Sequence, residues 1–226
     1  MNLLVLGRGK TGSLVAELAR ERRHHVRVLG SSENVNAAAL TRASLSGIDA
    51  VIDFTTPTAV IANAEACICA GKNLVIGTTG WYDHAPRLRA MVESAKTGLL
   101  YGSNFSIGMN LFFEIVRTAA PALNFDYSGQ IFERHHAHKK DAPSGTAMTL
   151  QKLIRETAGP ELEIVSFREG DVVGMHEVVF NSQNDRIYLC HDSKSRRGFA
   201  EGAVRGAEWL VGKQGFVEFR EIWQQL

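Results

Sequence analysis

A glycine-rich motif between a strand and a helix places the strongest constraint on the fold of this chain. Residues Gly7 to Gly12 read G-R-G-K-T-G, a G-x-G-x-x-G pattern, and directly follow the apolar run Leu3 to Leu6. The first glycine permits a tight turn, the second permits close approach to a pyrophosphate, and the third permits close packing of helix against strand. The motif predicts a dinucleotide site made by Gly7, Arg8, Gly9, Lys10, Thr11 and Gly12.

The rest of the first half alternates short apolar runs with helical patterns. Such alternation implies right-handed crossovers and a mainly parallel sheet with helices on both faces. The predicted strands are Leu3 to Leu6, Val26 to Leu29, Ala50 to Ile52, Leu74 to Ile76 and Leu99 to Tyr101. The predicted helices are Thr11 to Arg22, Thr56 to Gly71 and Ala85 to Lys96.

The second half has a different pattern, with helices at Ile107 to Ala120, from Ser144 onward, and at Ala200 to Val211. Strands are predicted at Tyr127 to Arg134, Glu163 to Arg168, Val172 to Phe180 and Arg186 to His191. We therefore expect an α/β chain of two domains. A Rossmann-type dinucleotide-binding domain takes residues 1–104 and 206–226, because the last helix returns to it. An α+β domain takes residues 105–205.

The composition argues against several classes of protein. Of the 226 residues, 45% are hydrophobic and 22% are charged, which is typical of a globular chain. Lys and Arg number 25 against 24 for Asp and Glu, so nucleic acid is not the expected partner. No window approaches the ~20 apolar residues of a membrane span. The start lacks a signal peptide, and Cys67, Cys69 and Cys190 have no disulfide spacing, which predicts a cytoplasmic protein.

The end of the second predicted strand bears on the choice of nucleotide. An NAD site usually has an acidic residue there to bind the ribose 2′-hydroxyl. Here the strand ends in Leu29-Gly30-Ser31-Ser32, the nearest acid is Glu33, and Arg8 and Lys10 are expected nearby. This predicts NADPH, or the use of both nucleotides, with Ser31 at the nucleotide.

The segment Glu133 to Ala147 holds the densest chemistry in the chain. Three histidines and two lysines fall between His135 and Lys140, and Ser144 follows as a candidate helix N-cap. Cations beside a helix N-terminus favour an anion, most naturally a carboxylate. A lysine among other cations gives up its proton more readily, and a histidine transfers protons near neutral pH.

This segment has two other interpretations. A zinc site could use His135, His136 and His138, but no cysteine or carboxylate completes a known spacing, so no metal is expected. A solvated basic loop does not explain why the loop ends in a helix start of small residues.

The segment from His135 to Thr146, H-H-A-H-K-K-D-A-P-S-G-T, resembles the signature of the dihydrodipicolinate reductase (4-hydroxy-tetrahydrodipicolinate reductase) family. Further segments resemble the family in the same order: Ile52 to Pro57, Val75 to Gly80, Ser103 to Asn110, Gly170 to His176 and Gly202 to Arg205. The glycine loop is one residue shorter than the usual family pattern of G-x-x-G-x-x-G, and the chain is short in its second domain.

The resemblance implies NAD(P)H-dependent reduction of a cyclic unsaturated dicarboxylate on the way to diaminopimelate and lysine. It implies that His135 is a proton donor and acceptor and that Lys139 donates a proton. The substrate residues it implies are His136, Lys139, Ser144, Gly145 and Thr146. Beyond the glycine loop, the implied cofactor residues are Phe54, Gly77, Thr78, Thr79, Gly102, Ser103, Asn104, Phe105 and Arg205.

The resemblance also implies that the second domain binds substrate and forms a homotetramer through an open mixed sheet, with a dimer as the alternative for this short chain. Two rival functions remain. Another Rossmann oxidoreductase acting on a small carboxylate, such as an amino-acid dehydrogenase, would share the glycine loop but has no reason for the segment His135 to Thr146. A non-catalytic NAD(P)H sensor would bind the cofactor without turnover.

Overall fold

The computed structural model describes residues 1–226. The chain divides into two compact units. Unit 1 comprises Met1–Ser106 and Arg197–Leu226, and unit 2 comprises Ile107–Arg196. The division places the second boundary after Arg196, whereas the sequence analysis placed it at residue 205, because the whole helix from Arg197 to Leu210 belongs to unit 1.

Unit 1 is built on a six-stranded, fully parallel sheet. Its strands are β1 Asn2–Leu6, β2 His25–Leu29, β3 Ala50–Asp53, β4 Asn73–Ile76, β5 Gly98–Tyr101 and β10 Gly215–Glu218. Its helices are α1 Lys10–Glu21, α2 Pro57–Cys69, α3 Ala85–Ala95 and α6 Arg197–Leu210. The strand order is β10-β5-β4-β3-β1-β2.

Strands β1 and β3 are buried almost throughout, which explains why they read as continuous apolar runs rather than alternating ones. One helix layer packs a core around Leu4, Val51 and Trp81. In α6, a Cβ at Gly202 would lie 1.8 Å from the carbonyl oxygen of Phe105, so only glycine permits this close approach.

Unit 2 consists of a four-stranded mixed sheet and two helices. Its strands are β6 Ser128–His135, β7 Ile164–Arg168, β8 Met175–Asn181 and β9 Arg186–Asp192. Its helices are α4 Ile107–Ala119 and α5 Gly145–Ala158. The strand order is β7-β6-β8-β9, with β6 and β7 parallel and the other pairs antiparallel. Both helices contribute to a core that includes Phe112, Ile131, Leu150 and Phe180.

The structure confirms the predicted α/β fold class with a Rossmann-type sheet and a second, mixed sheet. Two details differ. Strand β10 was not predicted, because it has only four residues and lies at the sheet edge. The strand predicted from Val172 begins only at Met175, because a turn at Gly170 and Asp171 precedes it. None of the helices combines the length and apolar character needed to cross a membrane.

Candidate active site

A cleft in unit 1 lies where loops follow the carboxyl ends of β1, β3 and β4, the usual position for a ligand in an open parallel sheet. Its volume is about 320 Å³. The residues that line it are Gly9, Lys10, Thr11, Gly12, Phe54, Thr55, Pro57, Gly77, Thr78 and Thr79. The structure therefore brings together three segments that the sequence analysis assigned to the nucleotide.

The glycine loop has the backbone that its motif requires. Gly7 has φ +102°, and a Cβ there would lie 2.2 Å from the carbonyl oxygen of Phe54. A Cβ at Gly12 would lie 2.3 Å from the carbonyl oxygen of Gly7. Gly9 is the N-cap of α1, has open space around its Cβ position, and supplies no side chain to cap the helix. The first turn of α1 thus keeps N–H groups for an anion, which fits the pyrophosphate of a dinucleotide.

A buried carboxylate that the sequence analysis did not single out fixes two of these loops. Asp53 is fully buried at the end of β3. Its Oδ1 accepts hydrogen bonds from Thr55 Oγ1 at 2.6 Å and Thr78 Oγ1 at 3.0 Å. Its Oδ2 accepts one from Asn63 Nδ2 at 2.8 Å. Burial raises the pKa of Asp53, and these bonds oppose that rise.

The end of β2 holds an ion pair. Arg8 Nη2 lies 2.7 Å from Glu33 Oε2, and the same carboxylate accepts a bond from the Gly30 N–H at 2.8 Å. Ser31 is exposed in the following turn. The Glu33 carboxylate is therefore held at the end of β2, and Arg8 of the glycine loop is bonded to it.

The other predicted cofactor residues do not line this cleft. Gly102 to Phe105 follow β5, where the Phe105 ring packs 4.6 Å from that of Phe219 and 6.2 Å from that of Phe54. Arg205 lies on α6, and its guanidinium is 3.1 Å from Glu201. Their assignment to the cofactor stays a prediction.

In unit 2, the end of β6 carries a buried histidine–carboxylate pair. His135 Nδ1 is hydrogen-bonded to the carboxylate of Glu133, which is 1% exposed. Both side chains lie on the same face of the strand because they are two residues apart. Arg168, opposite His135 on β7, places Nη2 2.7 Å from Glu133 Oε1. The second oxygen of the carboxylate is thereby also bonded.

Burial and charge set the ionisation of this group. Burial raises the pKa of Glu133, but Arg168, followed by Ser166 and His135, outweighs it and leaves the pKa lowered. Burial lowers the pKa of His135, and the Glu133 carboxylate offsets only part of this. His176 on β8 packs edge-on against His135 at 5.1 Å, and burial lowers its pKa to about 3. Near neutral pH both imidazoles are therefore uncharged and Glu133 is ionised.

The loop after β6 holds Lys139, whose Nζ bonds both carboxylate oxygens of Asp141 at 2.8 and 3.0 Å. The Lys139 ammonium in turn lowers the pKa of Asp141. Arg168 Nη2 also donates to the Asp141 carbonyl oxygen at 2.6 Å. One guanidinium thus contacts both the loop of Lys139 and the carboxylate that holds His135.

Helix α5 begins directly after this loop. Its N-cap Ser144 accepts a bond from the Ala147 N–H at 3.2 Å, and the Ser144 hydroxyl is 3.2 Å from His176 Nε2. A Cβ at Gly145 would meet no heavy atom within 4 Å, so the first turn has space for a ligand. The rings of His136 and His138 lie 6.5 Å apart in the loop.

The family models match both halves of this chain. The model described as dihydrodipicolinate reductase, N-terminus, matches residues 1–105, and the one described as its C-terminus matches residues 108–222. The chain belongs to the dihydrodipicolinate reductase family. This confirms the resemblance seen in the sequence, and members of the family are NAD(P)H-dependent reductases.

Curated relatives agree over most of their length. A 4-hydroxy-tetrahydrodipicolinate reductase from Christiangramia forsetii is 35% identical, over 100% of this chain and 99% of the relative. One from Neisseria gonorrhoeae is 36% identical, over 80% of this chain and 74% of the relative. The dipicolinate-bound dihydrodipicolinate reductase from Paenisporosarcina sp. TG-14 has the same fold, with a TM-score of 0.79, 24% identity and coverage of 98% and 99% of the two chains.

The residues that contact His135 in the structure were not identified from the sequence. The sequence analysis gave Glu133 no role. It ended the predicted strand at Arg134, one residue before His135, whereas β6 includes His135 and so places both side chains on one face. Arg168 and His176 come from other strands, and only the register of the sheet brings them to His135 and Glu133.

The donor atoms of Glu133, His135 and His176 lie within 4.8 Å of one another, a spacing that a metal ion could bridge. Both oxygens of Glu133 are already bonded, one to His135 and one to the Arg168 guanidinium. A cation would have to break the first bond beside a fixed positive charge. We therefore interpret the cluster as a proton-handling network, and the absence of a metal stays a prediction.

Proposed function

We propose that this chain reduces 4-hydroxy-tetrahydrodipicolinate to tetrahydrodipicolinate with NADH or NADPH, in diaminopimelate and lysine biosynthesis. Its relatives carry the name of that reductase. The observation that carries the proposal is the cluster at the end of β6, where carboxylates hold His135 and Lys139 near an open helix N-terminus. A site of this composition suits a small dianion that must receive a proton.

The carboxylates of the substrate are assigned to the loop and the first turn of α5. No acidic residue occurs in that turn, and Gly145 leaves room for an oxyanion. The Lys139 ammonium adds a point charge. It is bonded to Asp141 in the structure, and a substrate carboxylate replaces Asp141 as its partner when the substrate binds. The residues proposed to hold the substrate are His136, Lys139, Ser144, Gly145 and Thr146.

The nicotinamide, when bound, supplies a hydride to the ring carbon conjugated with the imine. The 4-hydroxyl group of the substrate leaves as water before this transfer, which creates the conjugated imine. The neighbouring centre takes up one proton after the hydride, so that substrate, hydride and proton give tetrahydrodipicolinate and water. We assign the donor to Lys139, whose Nζ carries three hydrogens. His135, neutral near pH 7, exchanges protons with the site through its ring. Positioning and electrostatics carry most of the rate.

The nucleotide is assigned to unit 1 and the dicarboxylate to unit 2. The uncapped start of α1, the positive φ of Gly7 and the cleft beside Phe54 support the first assignment. The histidines and Lys139 support the second. Both assignments predict that substitutions in one unit alter the binding of one ligand and leave the other nearly unchanged.

The test is cofactor oxidation by the purified protein with the fresh product of pyruvate and aspartate-semialdehyde condensation. NADH and NADPH are supplied in separate assays. Turnover is the expected result, and the ratio of the two kcat/KM values gives the nucleotide preference. Nucleotide binding without turnover would contradict the proposal and favour a sensor. Turnover only with an amino acid or its keto acid would favour an amino-acid dehydrogenase.

We further propose a homo-oligomer that uses the sheet of unit 2. Phe167 on β7 and Tyr188 on β9 are 39% and 55% exposed, which is high for side chains of their size. The family resemblance points to a tetramer and the short chain to a dimer. Light scattering after gel filtration distinguishes the two, and a monomer would contradict both.

A cytoplasmic location is also proposed. The three cysteines are free, and two of them, Cys69 and Cys190, are exposed. Exposed unpaired thiols are typical of reducing compartments. Fractionation of cells that express the protein tests this, and recovery outside the cytoplasm would contradict it.

A further inference from the structure

Glu133 and Arg168 have no part in the reaction as proposed so far, yet they are the least exposed charged groups around His135. Glu133 is 1% exposed, and the Arg168 side chain is 17% exposed. Burying a charged pair is costly unless its geometry is good and its remaining groups are bonded. We therefore looked to the contacts of Glu133 and Arg168 for a function that their burial serves.

We propose that Glu133 and Arg168 are a positioning pair that fixes His135 in a single tautomer and anchors the loop of Lys139 to the same carboxylate. The proposal rests on the proposed function for its kinetic consequences. Its structural content, the tautomer and the anchoring, does not depend on which substrate is reduced.

The tautomer follows from the hydrogen bonds. An ionised carboxylate only accepts hydrogen bonds, so the nitrogen of His135 that faces Glu133 must carry the proton. That nitrogen is Nδ1, which leaves Nε2 as the basic nitrogen of the neutral ring. Nε2 has no hydrogen-bond partner in the structure, and a Cβ at Gly174 would come within 3.0 Å of it. Glycine at position 174 thus keeps this side of the ring accessible.

The anchoring follows from the reach of one guanidinium. Arg168 Nη2 donates to Glu133 Oε1 at 2.7 Å and to the Asp141 carbonyl at 2.6 Å, while Nη1 donates to the Phe167 carbonyl at 2.7 Å. Asp141 holds the Lys139 ammonium through its side chain. Loss of Arg168 therefore releases the Lys139 loop and removes one of the two bonds on the carboxylate that orients His135.

Glu133 and Arg168 have opposite effects on the pKa of His135. His135 is faced by Glu133 on its own strand, Arg168 on β7, His176 on β8 and Lys139 from the loop. The Glu133 carboxylate raises the pKa of His135, whereas the Arg168 guanidinium lowers it. Neutralising one partner must shift the titration of His135 in the direction opposite to neutralising the other.

The experiment combines nitrogen-15 NMR of the histidine rings with steady-state kinetics on the full chain. The variants are Glu133→Gln and Arg168→Gln. The matched control is Glu169→Gln, because Glu169 is next to Arg168 in sequence but is exposed and pairs with Arg134 at 2.5 Å. A His135→Gln variant assigns the His135 signals. Thermal melts verify that each variant folds.

The wild-type spectrum is expected to show the neutral His135 ring protonated at Nδ1. Glu133→Gln should lower the pKa of His135 and Arg168→Gln should raise it, while Glu169→Gln leaves it unchanged. Both cluster variants should lower kcat by about 10²-fold, less than the loss of a direct proton donor often costs, with a smaller change in KM. Nucleotide affinity should not change.

A wild-type His135 protonated at Nε2, or two variant shifts of the same sign, would overturn the proposal. So would variants that fold and turn over as fast as the control. The tautomer of His135 is measured on the wild-type chain, so this measurement requires neither a folded variant nor substrate. Absence of turnover in the wild-type chain therefore contradicts the proposed function alone, whereas a wrong tautomer contradicts the positioning pair alone.

Discussion

At the scale of single residues, Lys139 and its neighbour Lys140 offer a matched test. Lys139 is bonded by Asp141 in the candidate site, whereas Lys140 has no such contact in the structure. Lys139→Ala is expected to lower kcat by roughly 10²–10⁴-fold, because a positioned proton donor contributes that much. The dissociation constant for NADPH should hardly change. Lys140→Ala serves as the control in the same assays, and equal turnover in both variants would remove Lys139 from the mechanism.

At the same scale, we expect the ion pair of Arg8 and Glu33 to influence the nucleotide preference. A carboxylate at the end of β2 repels a 2′-phosphate, and Arg8 attracts one. Glu33→Gln frees Arg8, so the ratio of kcat/KM for NADPH over NADH is expected to rise about tenfold, a change of about 1.4 kcal/mol. Arg8→Ala should lower the ratio. Arg27→Ala, an exposed position on β2, is the control. Ratios that stay equal across all three variants would show that neither residue reads the 2′ position.

At the scale of elements, Asp53 joins the end of β3 to the loop after β4. Asp53→Asn replaces an accepting oxygen by an N–H group that faces Asn63 Nδ2, so at least one buried donor loses its partner. Such a loss costs about 1–3 kcal/mol. We expect weaker binding of both nucleotides, roughly tenfold by fluorescence titration. Asp49→Asn, before β3 at its opposite end, is the control. A change in the affinity for one nucleotide only would contradict a shared role of the two loops.

Comparing the predicted strands and helices with the observed ones shows which parts of the fold could be predicted from the sequence. Buried parallel strands and amphipathic helices carry their pattern locally, so most of the fold was predictable. β10 was missed because four residues at a sheet edge carry too little pattern. His135 and Lys139 could be named as candidates because one short segment contains both, and their roles stay a prediction. The contact of Glu133 with Arg168 was not, because it depends on the register of β6 and β7, which α5 separates in sequence.

At the scale of the whole molecule, the chain closes unit 1 by returning its last segment to the first. Glu208 on α6 accepts bonds from Arg22 at 2.6 and 2.8 Å, just after α1, and lies 2.8 Å from His24. Burial raises the pKa of Glu208, but these bonds outweigh it and leave the pKa lowered. A carboxylate whose folded pKa is depressed stabilises the fold above its unfolded pKa, and this stability is lost as pH falls through the folded pKa.

Glu208→Gln is therefore expected to lower the free energy of unfolding of the chain at pH 7 by about 1.5–3 kcal/mol, the range for hydrogen bonds to charged groups. The difference from wild type should shrink as pH falls below the ordinary glutamate pKa of about 4.3, because the unfolded wild-type chain then takes up a proton that the folded carboxylate binds only at lower pH. Urea unfolding at several pH values measures this. Glu114→Gln is the control, since Glu114 pairs with Arg117 on the surface of α4, where such pairs contribute little. A Glu208→Gln deficit that persists unchanged in acid would mean that packing, and not the charge of Glu208, joins the two ends of the chain.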